Sequence, residues 1–315
     1  MPLTLEQYAV SLAKRADLKW PAVPSITPIR AKPHVSPMPE VRCVLWTLYG
    51  TLINIAESDL LFEHPKDFVM DLALTKTIDE FKMWNSMSRK PGQPAEYMRE
   101  VYKRVLLESK TACGFEKFPE TPAERLWENI VKKLLQKEYK FDAGLYGALN
   151  EFSRKVAYFF HTSLQGTGCY PGVIETTQTL AEQGILQGFL ADAQVFTPAQ
   201  LLRAMQLESP DAELTAFRPS LQFLSCDYKA RKPSPTFLDG VMESLEKQGI
   251  EPFEVLHVGS SIPRDIVPAK KLGFRTALFA GDKASLVATA EQMKDPASRP
   301  DLLITELPQL AQIAG

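Results

Sequence analysis

The sequence predicts an α/β protein, a doubly wound parallel sheet interrupted near its start by a long helical insertion. Three observations predict it. One short apolar run, over residues 41–48, reads as a buried strand. Residues from about 55 to 168 then carry apolar positions at helical spacing. After Tyr170-Pro171-Gly172 the rhythm changes to strand and helix in alternation, the pattern of parallel strands joined by crossover helices.

The elements follow in order. Thr4-Leu5-Glu6-Gln7 has the form of a capping box, and Leu5, Tyr8 and Leu12 continue at helical spacing, so a helix is expected over 4–18. Six prolines between Pro21 and Pro39 exclude helix and central strand, because each removes an amide donor. This stretch reads as an extended arm lying along the body of the protein. The strand over 41–48 ends at a turn marked by Gly50-Thr51.

In the insertion, Thr121-Pro122-Ala123-Glu124 predicts a helix start with a threonine hydroxyl as cap. Leu126, Trp127, Ile130, Val131 and Leu134 follow on one face, and Tyr97, Val101 and Val105 form a similar stripe. Such stripes read as helix-packing core. Beyond Val173, strands are expected at 185–190, 221–224, 255–258, 275–279 and 302–304. Helices between them are expected to end at Gly184, to include Leu201, Leu202 and Met205, to open at Ser234-Pro235, and to span 264–272 before Gly273. The organisation expected is an arm at 1–40, an α/β core at 41–54 and 169–315, and a helical cap at 55–168. In such sheets the working site lies at the carboxyl ends of the strands, here after Leu48, Leu190, Leu224 and Val258.

Composition narrows the functions. The 315 residues are 45% hydrophobic and 23% charged, with a net charge of -2. No basic field invites nucleic acid or an anionic membrane, and no apolar run suggests a span or a signal peptide, so a cytoplasmic protein is expected. Cys43, Cys113, Cys169 and Cys226 contain no CxxC pair and read as reduced, mostly buried thiols. His34, His64 and His161 lack metal-ligand spacing, and His257 in its apolar run reads as a packed core histidine. Cys226 and Asp227 read as loop residues rather than a nucleophilic pair.

Four segments fall on these strand ends, and a fifth, Tyr170-Pro171-Gly172-Val173, follows the helical insertion. The four are Thr47-Leu48-Tyr49-Gly50-Thr51-Leu52, Gly188-Phe189-Leu190-Ala191-Asp192, Arg231-Lys232-Pro233-Ser234-Pro235, and Val258-Gly259-Ser260-Ser261 through Asp265. In order and placement they resemble the motifs of the haloacid dehalogenase-like (HAD) superfamily: D-x-D-G-T-L, the strand ending in a hydroxyl residue, R-K-P-x-P, and V-G-D-S-x-x-x-D. The resemblance covers roughly residues 41 to 306. It implies a Rossmann-like core with a helical cap.

The departures from that pattern shape the functional expectation. Thr47 stands where the family has its aspartate nucleophile, and no motif offers it an obvious base; a hydroxyl needs one, whereas a carboxylate does not. Tyr49 stands where the general acid/base aspartate is expected, Ser260 where a metal-binding aspartate is, and Ala191 where a hydroxyl holds phosphate. Neutral hydroxyls do not replace carboxylates around Mg²⁺, so no cofactor is expected. Lys232, Gly50 and Thr51 are the residual candidates for holding an anion, and Asp265 and Asp192 for a metal. Lys232, without its usual partners, is expected to pair with Asp265 or Asp192 if buried.

The functional expectation is a non-catalytic protein that binds a partner or a small molecule in the cap cleft, or a scaffold whose arm mediates assembly. The alternative is a divergent hydrolase of small phosphorylated or other substrates with relocated residues.

Overall fold

The computed structural model describes residues 1–86, 93–112 and 114–314. Six parallel strands form the main sheet: β1 Cys43–Trp46, β4 Leu186–Ala191, β5 Gln222–Leu224, β6 Val255–Gly259, β7 Arg275–Phe279 and β8 Leu302–Ile304. They lie in the order β5-β4-β1-β6-β7-β8. Every residue of β1 and β6 is buried, as expected of strands covered on both faces. The order reverses around β1, which lies between β4 and β6, and this is the switch point at which such sheets open a crevice. A Rossmann-like core with a helical cap is therefore what the sequence folds into.

Two short strands that the sequence pattern did not announce leave and re-enter the core. β2 Ile53–Ile55 and β3 Thr167–Cys169 pair antiparallel, and the helical block lies between them in the chain. Its long helices are Asp67–Glu80, Pro94–Thr111, Ala123–Leu135 and Leu149–Leu164. Leu126, Trp127, Ile130, Val131 and Leu134 are all buried in one cluster with Val101, Tyr102, Val105, Phe152 and Phe160. The stripes are core, as their spacing predicts.

Three local expectations are corrected. The first helix keeps its capping box, with Thr4 accepting from the Gln7 amide, but ends at Ala13 rather than near 18. Thr121 does not cap the next helix: it begins at Ala123 with Pro122 at the cap position and no side-chain cap bond. The preceding segment is instead drawn onto the core, where the Arg231 amide donates to Phe118 O at 2.7 Å and the Glu120 amide to Lys229 O at 3.0 Å. The stretch expected as helix over 264–272 is a π-helical turn, Ile262–Ile266, running into a short helix, Val267–Lys271.

Candidate functional site

β1 delivers Thr47 to the carboxyl end of the sheet, its amide donating to Val258 O at 2.9 Å. The chain then turns tightly. Leu48 O accepts from the amides of Thr51, Leu52 and Ile53, and the Gly50 amide donates to Ile53 O at 2.9 Å. Gly50 holds this turn at φ +80°, and a Cβ there would lie 2.8 Å from both Ser260 Oγ and Ser58 Cβ. Gly50→Ala is expected to cost about 1–3 kcal/mol through strain and overpacking, read as a lower urea midpoint at unchanged slope.

Around Thr47 the strand ends bring together a closed polar cluster. Lys232 Nζ donates to Asp265 Oδ1 at 2.5 Å, to Thr47 Oγ1 at 3.0 Å and to Leu190 O at 3.0 Å. Thr47 Oγ1 in turn donates to Asp265 Oδ1 at 2.8 Å. The other carboxylate oxygen, Oδ2, accepts from the Ser261 amide at 3.0 Å. The side chains of Lys232 and Asp265 are 1% and 4% exposed. Burial alone would raise the Asp265 proton affinity, but Lys232 and His257 outweigh it and hold the carboxyl well below the ordinary carboxylate range.

His257 completes the cluster. Its Nδ1 lies 2.9 Å from Leu45 O, and its Nε2 lies 3.4 Å from Thr47 Oγ1 and 3.9 Å from Asp265 Oδ1. Burial pushes the imidazole toward its neutral form. The packed core histidine of the sequence is thus also a neighbour of Thr47, and the expectation that no base stands near Thr47 is corrected: Asp265 and His257 both do. The parallel register that sets Leu45 beside His257 puts the ring there. The signal available was parity, since Leu45 and Thr47 lie on the same face of β1.

The other candidates are placed as follows. Asp192 accepts from the Lys232 amide at 2.8 Å through Oδ1 and faces Arg231 Nε at 3.8 Å through Oδ2. Burial raises its proton affinity, opposed by Lys232 and Arg231. The Tyr49 phenol donates to Gln200 Oε1 at 2.6 Å and lies 2.9 Å from Thr197 Oγ1, and burial pushes it far above the ordinary phenol range. Ala191 is buried core, Ser260 is buried beside Gly50, and the Thr51 hydroxyl is buried without a partner among the described residues. Cys226 is buried, and burial raises its thiol further from ionisation. Cys43, Cys169 and Cys226 are free and buried, while Cys113 lies outside the described residues.

Residues that sequence reasoning missed close the site from the helical side. Arg231 reaches Asp59 at 3.0 Å, Glu120 at 3.6 Å and Asp192 at 3.8 Å. Arg264 faces Asp59 at 3.5 Å. Glu120, 5% exposed, accepts from Ser225 Oγ at 2.7 Å, and burial pushes its carboxyl up to about 7 against the pull of Arg231 and Ser225. Asp59 and Glu120 come from loops of the insertion, where no motif announces them. The space left among Thr47, Tyr49, Asp59, Asp192, Lys232 and Asp265 is about 20 Å³. A far larger cavity, about 820 Å³, opens nearby between Pro122, Arg125, Tyr228 and Lys229, with Glu120 in its wall.

The HAD-hydrolase-like family profile matches residues 229–310, from the Lys232 loop to the end of the sheet. The crystal structure of 2-haloacid dehalogenase from Pseudomonas syringae pv. Tomato DC3000 aligns with a TM-score of 0.51 at 19% identity, over 86% of this chain and 96% of that one. The fold is that of the HAD-hydrolase-like superfamily. A HAD phosphatase from Thermococcus onnurineus aligns over 86% of this chain and 96% of its own at 17% identity, with a TM-score of 0.45. L-2-haloacid dehalogenase from Xanthobacter autotrophicus, with chloropropionic acid covalently bound, aligns over 86% and 97% at 17% identity and a TM-score of 0.43. No curated protein matches the sequence. Among the described residues of this HAD-like chain, no group of three or more His, Cys, Asp or Glu is disposed to hold a metal ion. No helix among them is long and apolar enough to cross a membrane.

Proposed function

We propose that this HAD-like chain is a non-catalytic protein that acts by binding, with its former reaction centre turned into a structural ion pair. One observation carries the reading: the Lys232 ammonium has three protons, and Asp265, Thr47 and Leu190 O accept all three. A phosphate would have to displace these partners and enter a space of about 20 Å³, enough for roughly one water. The amides of Gly50 and Thr51 are likewise taken up within their own turn, at Ile53 O and Leu48 O. The donor set fits Mg²⁺ poorly. Thr47 and Ser260 offer neutral hydroxyls, Asp265 already accepts from an ammonium, and Asp192 is turned toward Lys232 N and Arg231.

The ligand of this reading is a small molecule or partner segment entering the 820 Å³ cavity between the helical block and the core, a volume in the range of small-molecule sites. Residues 1–40 act as the arm, 41–54 and 169–315 as the core, and 55–168 as the cap. The composition and the buried free thiols suit a cytoplasmic protein.

A second reading, a divergent hydrolase, is favoured by the contacts of Thr47 with Asp265 and His257. Against it, Lys232 holds Asp265 too weakly basic to take the proton of a hydroxyl. An assay over a broad panel of phosphate esters, with and without Mg²⁺, separates the two. The native chain is expected to show no turnover, whereas Thr47→Asp/Tyr49→Asp/Ser260→Asp gains some if the fold still positions phosphate. Native turnover that disappears in His257→Ala or Asp265→Asn would establish the second reading instead.

A further inference from the structure

We infer that the proline-rich arm is an intramolecular strap that fixes the hinge between the helical block and the sheet. Apart from the arm, the described chain passes between these two bodies only through β2 and β3. The arm is a third covalent connection, and it is anchored at both ends and in the middle.

The first anchor is on the helical block. Tyr8, Ala9 and Leu12 are buried in the block's own apolar cluster, with the Tyr8 ring against Phe81, Tyr146 and Tyr158. Arg15 pairs with Glu80 at 2.6 Å, and Lys76 Nζ donates to Lys19 O. Trp20 meets the edge of Phe159 at 5.5 Å, and from the core side the Arg203 guanidinium lies over its ring at 5.2 Å.

The second anchor is on the core. The Thr27 amide donates to Asp282 Oδ1 at 2.9 Å, and the Lys283 amide to Thr27 O at 2.8 Å. His34 pairs with Leu303 of β8 through both backbone bonds, at 2.8 and 2.9 Å. The Met38 amide donates to Ile313 O at 2.8 Å.

Between the anchors, residues 21–24 lie directly on the hinge. Asn54 Nδ2 of β2 donates to Pro24 O at 2.7 Å. On the other connection, a Cβ at Gly166 would lie 2.0 Å from Ala22 O, and one at Gly168 would lie 2.7 Å from Val23 Cγ1. Both glycines therefore make room for the arm, not for the sheet. Six prolines keep the strap extended and reduce the entropy lost in docking it. A rotation of the block about β2 and β3 has to shear these contacts or stretch the strap. Severing the strap between its anchors removes the covalent part of that restraint while leaving the side-chain contacts of each anchor in place.

The test uses the full chain with a protease recognition site inserted after the exposed Ser25, between the Pro24 contact and the Thr27 anchor, compared before and after cutting by hydrogen exchange. Cutting is expected to raise amide exchange at least tenfold in residues 53–55, 167–169 and the turn 48–52, with the interiors of β1, β6 and the 149–164 helix changing less than twofold. Gly166→Ala, which displaces the strap sterically without a cut, is expected to give the same local pattern. Exchange that stays within twofold at the hinge after cutting overturns the inference. So does a rise spread evenly over the molecule, since that marks the arm as part of the global fold.

Discussion

Lys232→Met is expected to lower the unfolding free energy by about 3–5 kcal/mol at pH 7, the cost of leaving a buried carboxylate without its cation. Asp265 is 3% exposed, and what remains beside it is Thr47 Oγ1, the Ser261 amide and the His257 ring, which burial holds toward its neutral form. The pH dependence has a definite sign. In the native chain the Asp265 carboxyl sits below its ordinary value of 3.8. Its contribution is thus present above about pH 4 and lost only as pH falls through the depressed value. Without Lys232 the largest lowering influence is gone and burial pushes the carboxyl up against His257 alone, so the variant recovers part of its loss as the medium becomes acidic. Lys232→Met/Asp265→Asn, which removes both charges, is expected to restore at least half of the stability at pH 7. Urea titrations of the three proteins between pH 4 and 8 measure all of this. A loss below about 1 kcal/mol, the same at every pH, would mean that water already screens the pair.

This pair shows how far the sequence could be read. Lys232 and Asp265 stand in motif positions at the ends of predicted strands, and a buried lysine among uncharged replacements has to find a carboxylate. Only the choice between Asp265 and Asp192 needed the structure. Asp192 is two residues from Leu190, whose carbonyl takes a Lys232 proton, yet its own carboxylate is turned to the Lys232 amide. Side-chain direction after a strand end is set by the loop, which no periodicity encodes.

Short elements were invisible for a related reason. β2 and β3 span three residues each, fewer than two periods of alternation, and β3 includes a glycine whose place is dictated by Val23 far away in the chain. Thr121-Pro122-Ala123-Glu124 has every local mark of a capped helix start. Docking of residues 118–120 on the core loop, at 2.7 and 3.0 Å, wins over a bond worth about 1 kcal/mol. The carboxylates that close the site, Asp59 and Glu120, come from the insertion, and the fold alone brings them to Arg231.

Glu120 supplies the other large expected effect. The carboxyl sits at the seam between the helical block and the core, faced by Arg231, Asp192, Asp59, Tyr49, Cys226 and the Ser225 hydroxyl. Burial raises it from an ordinary 4.5 to about 7. A carboxyl raised on folding favours the folded state while it is protonated. Its contribution is fully present below about pH 4.5 and is lost as pH rises through 7. The loss amounts to at most about 3 kcal/mol. Asp192 is raised in the same direction and adds its own slope, so the native profile alone does not isolate Glu120. Glu120→Gln does. The amide keeps an acceptor for Ser225 and never ionises, so the variant should match the native chain near pH 4.5 and exceed it by about 1–3 kcal/mol at pH 8. Hydrogen exchange at the Glu120 and Arg231 amides should follow the same curve, because they hold this seam by donating to Lys229 O and Phe118 O. Parallel stability profiles for the native chain and the Glu120→Gln variant from pH 4.5 to 8 would remove Glu120 as the titrating group. A lower stability of the variant throughout would show instead that Arg231 needs the carboxylate's charge.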